Sequence, residues 1–192
     1  MIMRHIGFVV VVFAVACGGR TPGPAVQRLL DGYAPGLPLG QRVPEEAPKR
    51  YRLQVAANEG YSDRDYQGPD GVRLLTIHVD RMPREGSDPK VSTRARIETV
   101  SLESPNAAAT ARIDQRIREV LGAPTIACFT APRGYRVESR YWPAENGRGI
   151  LLHVFPDSLP SSGMGSYGLG WAIVTFGAGP MTSEQVTLET CR

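Results

Sequence analysis

Residues 105–121 constrain this chain's architecture more than any other segment. Ser104 is a good N-cap residue, and Pro105 suits a first helical position, where a missing N–H costs nothing. Ile113, Ile117, Val120 and Leu121 then recur at i, i+4, i+7 and i+8, one face of a 3.6-residue helix. Gly122 supplies a left-handed stop and Pro124 blocks continuation. Most of the remaining text reads as strand. One long amphipathic helix among strands requires an α+β fold in which that helix covers a sheet.

The strand signals lie on both sides of it. Tyr51, Leu53, Val55 and Ala57 alternate with Arg52, Gln54 and Ala56, and runs follow at 72–79 and 94–102. After the helix, strands are expected at 125–130, 135–142, 150–155, 171–176 and 185–191. A short helix fits 25–30, with Val26, Leu29 and Leu30 on one face. Prolines at 35, 38, 44 and 48 exclude long regular structure between 33 and 48. The stretch 58–71 is polar, with turn chemistry in Gly68-Pro69-Asp70-Gly71.

An internal repeat is visible. Ala47-Pro48, Gly60-Tyr61, Tyr66, Leu74-Leu75-x-Ile77 and Asp80 recur as Ala123-Pro124, Gly134-Tyr135, Tyr141, Leu151-Leu152-x-Val154 and Asp157. The expectation is an antiparallel sheet, or sheets, of two three-stranded repeats with one main amphipathic helix. Residues 25–104 then form the first αβ unit and 105–192 the second.

The N-terminus carries an address. Arg4 precedes an uncharged, mostly apolar run from Ile6 to Ala16, too short for the ~20 residues a membrane-spanning helix needs. It has the proportions of a secretory signal, so 1–16 reads as signal peptide and 17–24 as a tether. The ending Ala14-Val15-Ala16-Cys17-Gly18 resembles the bacterial lipobox. That resemblance implies acylation of Cys17, and Gly18 after it implies outer-membrane sorting. Ala14-x-Ala16 also satisfies ordinary signal cleavage, which would give a secreted or soluble periplasmic protein. With Cys17 acylated, Cys128 and Cys191 remain as an even pair in an oxidising compartment. A bridge between them closes a loop of about 64 residues, worth ~4 kcal/mol in the chain-entropy model.

Asp114-Gln115-x-x-Arg118-x-Val120-Leu121-Gly122-x-Pro124, followed by Tyr141-Trp142 and Leu152-x-Val154-Phe155, resembles the small outer-membrane lipoproteins of the BamE (SmpA/OmlA) family. In tandem, such helix-plus-sheet units are similar to the β-lactamase-inhibitor-protein architecture. The resemblance covers about residues 106–176. It implies a fold and a habit of binding proteins, and it transfers no active site.

Composition narrows the functions. The hydrophobic fraction of 42% argues against disorder, and three cysteines are too few for a four-thiolate zinc site. A net charge of +3, with basic residues dispersed along the chain, argues against nucleic acid as a partner. Gly163-x-Gly165-x-x-Gly168 leads into strand-like text, so it reads as a loop, not a dinucleotide fingerprint. His78 and His153 fall on comparable strands but lack a metal-binding frame, and no G-x-S-x-G is present. Asp63 with Asp65, and Glu45 with Glu46, sit in polar text where solvation is the default. No catalytic residue, metal ligand or cofactor is therefore assigned.

Tyr61, Tyr66, Tyr135, Tyr141 and Trp142, interleaved with Arg136 and Arg140, have the composition of a protein interface, and equally of cross-strand packing. The expectation is a non-enzymatic envelope protein, held to the membrane by a lipid and binding another envelope protein. A periplasmic hydrolase and a small-ligand carrier are the competing readings.

Overall fold

The structure is a computed structural model, and it describes residues 23–56, 60–62, 65–80, 95–131, 135–155 and 170–179. Three helices and eight strands are present among them. They are α1 (Pro24–Asp31), α2 (Ala47–Arg50), β1 (Gln54–Ala56), β2 (Gly60–Ser62), β3 (Arg73–Val79), β4 (Ile97–Ser104), α3 (Ala107–Leu121), β5 (Thr125–Ala131), β6 (Tyr135–Trp142), β7 (Gly149–Val154) and β8 (Ala172–Ala178).

All eight strands form one antiparallel sheet, in the order β1-β2-β3-β4-β8-β7-β6-β5. The mixed α+β class stands. Of the one or more sheets of three-stranded repeats expected, the structure shows one continuous eight-stranded sheet, because β4 pairs with β8 from Val100↔Phe176 to Ser104↔Ala172. That seam joins strands far apart in sequence, and no local pattern announces it.

Strand alternation gives the sheet two faces. On the first, the register aligns Leu74, Leu102, Val174, Leu152, Arg140 and Ile126 in one row, and Val100, Phe176, Ile150 and Trp142 in the next. Val26, Leu29 and Leu30 of α1 and Ile113 and Ile117 of α3 share a single core with the apolar members of these rows. Burying each large side chain contributes about 1.5–3 kcal/mol.

Helix α3 begins two residues later than expected. Asn106, not Ser104, is its N-cap, its Oδ1 accepting from the Ala109 N–H at 3.0 Å. Thr110 Oγ1 donates to the Gly170 carbonyl at 2.8 Å and lies 2.9 Å from Ser104 Oγ, fixing the helix start against the loop before β8. Gly170 has φ +70°, and a Cβ there would lie 2.6 Å from Ala107 Cβ, so a side chain is excluded at this contact. Gly122 ends the helix with φ +80°. Val120 is 47% exposed and Leu121 only partly buried, so the core-facing stripe runs through Ala109, Ile113 and Ile117.

The proline-rich stretch is more structural than its composition suggests. Tyr33, Ala34, Leu37, Leu39, Val43 and Ala47 are all buried in the main core. Arg116 of α3 lies over the Tyr33 ring at 5.3 Å, and Tyr66 Oη donates to the Tyr33 carbonyl at 2.5 Å. Prolines here break regular structure without keeping the chain off the core. The polar stretch 58–71 holds strand β2 and a 3-10 turn at Pro69–Gly71.

Candidate functional site

The second face of the sheet is chemically unlike the first. Register places Arg73, Glu103, Ile173, His153, Ser139 and Ala127 in one row across it, and Thr76, Ser101, Thr175, Leu151 and Tyr141 in the next. His78 and Thr99 begin a third. Short polar side chains dominate, and many bond to the neighbouring strand. Ser101 Oγ and Thr175 Oγ1 are 3.0 Å apart, Arg73 lies 3.5 Å from Glu103, and Ser139 Oγ is 2.7 Å from His153 Nδ1. Tyr141, Leu151 and Ala178 add a small apolar cluster. His78, Thr99, Ile173, Thr175 and His153 all retain partial solvent exposure.

Burial holds the His153 imidazole below its ordinary pKa of 6.5, favouring the neutral ring. Its contact with Ser139 has the residue types of a nucleophile and base. Ser139, however, is 0% exposed, so its Oγ lies out of a substrate's reach in this conformation. His78 and His153 stand on β3 and β7 with β4 and β8 between them, three strand spacings or ~14 Å apart. A metal bridged between them does not fit. Among the described residues, no group of three His, Cys, Asp or Glu side chains is placed to hold a metal.

The aromatic and arginine residues singled out by sequence are distributed over both faces. Tyr61 and Trp142 are 0% exposed and belong to the core. Trp142 Nε1 donates to the Gly122 carbonyl at 2.9 Å, tying β6 to the end of α3. Tyr66 packs edge-on against Tyr51 with ring centroids 4.9 Å apart, and the Tyr51 hydroxyl donates to the Pro35 carbonyl. Tyr141 lies on the second face, where burial raises its pKa. Arg136 is exposed, and Tyr135 begins β6.

Arg140 lies on the first face, beneath α3. Its guanidinium is 3.0 Å from Asp114 and 2.6 Å from Glu138, and Arg118 reaches Asp114 at 2.6 Å. Burial opposes the Arg140 charge, but the bonds to Glu138 and Asp114 outweigh it and keep its pKa raised. This ion cluster anchors the helix where the apolar row gives out. Period-two alternation already places Arg140 with Trp142, but its partner Asp114 lies on another element.

Cys128 is buried on β5. Cys17, Cys191, the 163–168 glycine motif, Asp63, Asp157 and the expected strand 185–191 lie outside the described residues. Glu45 and Glu46 are exposed, and Asp65 sits 3.6 Å from Arg52 at the surface. No helix of the described residues is long and apolar enough to cross a membrane. The chain matches no protein-family model, no curated protein and no solved structure.

Proposed function

We propose that this protein is a lipid-anchored component of the bacterial outer membrane, facing the periplasm, that binds another envelope protein through the second face of its sheet and catalyses no reaction. The observation that carries this reading is the composition of that face. It offers five partly exposed hydroxyl, imidazole and apolar side chains, His78, Thr99, His153, Ile173 and Thr175, set among buried Thr76, Ser101 and Ser139 on adjacent strands, a surface suited to a folded partner. The only nucleophile–base contact found among its described residues buries the nucleophile. The envelope address rests on the signal-like run and on Cys17.

Tandem duplication belongs to the same reading. Strands β1–β4 and β5–β8 are each a meander of sequential antiparallel neighbours, each preceded by helix, and they meet at β4·β8. This agrees with the repeated Gly-Tyr, Leu-Leu and Asp positions. Two fused copies make one face wide enough for a protein partner.

The test is a photo-crosslinking amino acid at Thr99 or Thr175 on the second face, compared with Ala111 on the exposed side of α3. In intact cells the first two positions should yield one discrete adduct, abolished by Ser101→Arg, and Ala111 should not. Equal adducts from all three positions, or none from Thr99 and Thr175, would refute the assignment of this face.

A further inference from the structure

The end of the molecule nearest the tether has its own chemistry. A half-open cavity of about 420 Å³ is lined by Pro24, Ala25 and Arg28 of α1, Leu121 of α3, and Pro143 and Ala144 after β6. Its lining is apolar except for the exposed Arg28. The two large apolar side chains that stand most exposed among the described residues, Val120 and Ile126, flank the adjacent turn at 122–124. Elsewhere α1 and α3 bury their large apolar side chains, Val26, Leu29 and Leu30 on one and Ile113 and Ile117 on the other. An apolar concavity, two exposed aliphatic side chains and a rim arginine thus collect where the chain enters the fold.

We infer that this end of the molecule is a membrane-docking surface, on which Leu121, Val120, Pro143 and Ala144 meet the acyl boundary of the bilayer and Arg28 meets lipid phosphate. The argument for lipid as the occupant is reach, and it rests on the lipid-anchor reading of Cys17. Cys17 lies six residues before Gly23, and six fully extended residues span at most about 20 Å. An acylated Cys17 therefore keeps this surface within about two nanometres of the headgroups. An apolar patch beside a cation is the pairing that interfacial binding uses. The seam β4·β8 and the second sheet face are then carried at a fixed orientation to the membrane.

The experiment separates this surface from the anchor. Full-length mature protein carrying Cys17→Ser, which has no acylation site, is mixed with phosphatidylglycerol vesicles or with phosphatidylcholine vesicles and floated on a density gradient. Flotation is expected with the anionic vesicles, and a loss of at least about fivefold for Val120→Asp and for Arg28→Glu. Ala111→Asp, exposed elsewhere on α3, should float like its parent. Melting curves of each variant exclude misfolding. Absence of flotation by the parent, or equal flotation by all variants, overturns the inference. Palmitate labelling of wild type against Cys17→Ser tests the anchor separately. Labelling without groove-dependent flotation leaves the anchor standing and overturns the docking surface, whereas groove-dependent flotation supports the surface whatever the labelling result.

Discussion

Arg140 Nη1 lies 3.0 Å from Asp114 Oδ1, a contact that fastens the middle of α3 to β6 across the sheet's first face. Both side chains are mostly shielded from solvent, and each has a second ionic neighbour, Glu138 for Arg140 and Arg118 for Asp114. The four side chains are ion-paired as a set, so removing one member costs more than any single pair is worth.

Asp114→Ala leaves two guanidinium groups without their shared carboxylate and should destabilise the protein by about 3 kcal/mol. Replacing Asp114 and Arg140 together with leucine should cost clearly less. Urea denaturation of the single and double variants checks this. A single-variant loss below about 0.5 kcal/mol would show that the cluster behaves as a solvated surface pair.

Helix α3 offers a paired test of burial. Ile117 is fully buried and Val120 is 47% exposed, three residues apart on one helix. Ile117→Asp places a carboxylate in the core without a partner and should largely unfold the protein. Val120→Asp should change stability by less than about 0.5 kcal/mol. Circular dichroism melts of the two variants should differ accordingly, and similar melts would mean that α3 is rotated from the orientation described.

His153 makes stability depend on pH in a definite direction. Its folded pKa is lowered by burial from the ordinary 6.5, so between the two values the unfolded chain binds the extra proton. The stabilisation is present above 6.5 and is lost as pH falls below it. Unfolding free energies measured by urea at neutral pH and about one pH unit below 6.5 should show that decline. His153→Gln should flatten it. A slope unchanged in the glutamine variant would assign the decline to other groups.

Cys128 is buried on β5 and is expected to be disulfide-bonded. With Cys17 acylated, Cys191 is the expected partner. Mass spectrometry of the non-reduced mature protein should recover one linked peptide pair containing Cys128 and Cys191. Two alkylatable thiols at those positions would rule the bridge out. Cys191→Ser should lower stability on the order of 4 kcal/mol if chain entropy governs the effect.

The four strands described after α3 are legible within a residue or two, because period-two alternation in 135–142 and the apolar run at 150–154 have few other readings. The helix itself was equally plain. The alternation from Tyr51 to Ala57 predicts a longer strand than β1, which spans Gln54–Ala56, and β2 is too short for alternation to emerge from polar text. The proline-rich stretch misled differently. Absence of periodicity was a correct sign of irregular backbone there, but Tyr33, Leu37 and Leu39 pack as tightly as any strand residue. The candidate face was the least legible feature. Its two halves become neighbours only through the β4·β8 pairing, and a pairing between distant strands leaves no trace in either one.

That pairing also sets a timetable. As the chain is made, β4 acquires β3 at once, but its other edge stays bare until β8 appears about 70 residues later. At ~5–20 residues per second this is a wait of several seconds. During it, Ile97, Val100 and Leu102 sit on a strand with an unsatisfied row of backbone donors and acceptors, the kind of edge that recruits other chains. A nascent chain bound for export can remain unfolded through this interval. A shortened protein ending before β8 would keep the edge permanently, and its first half would be a seed for aggregation.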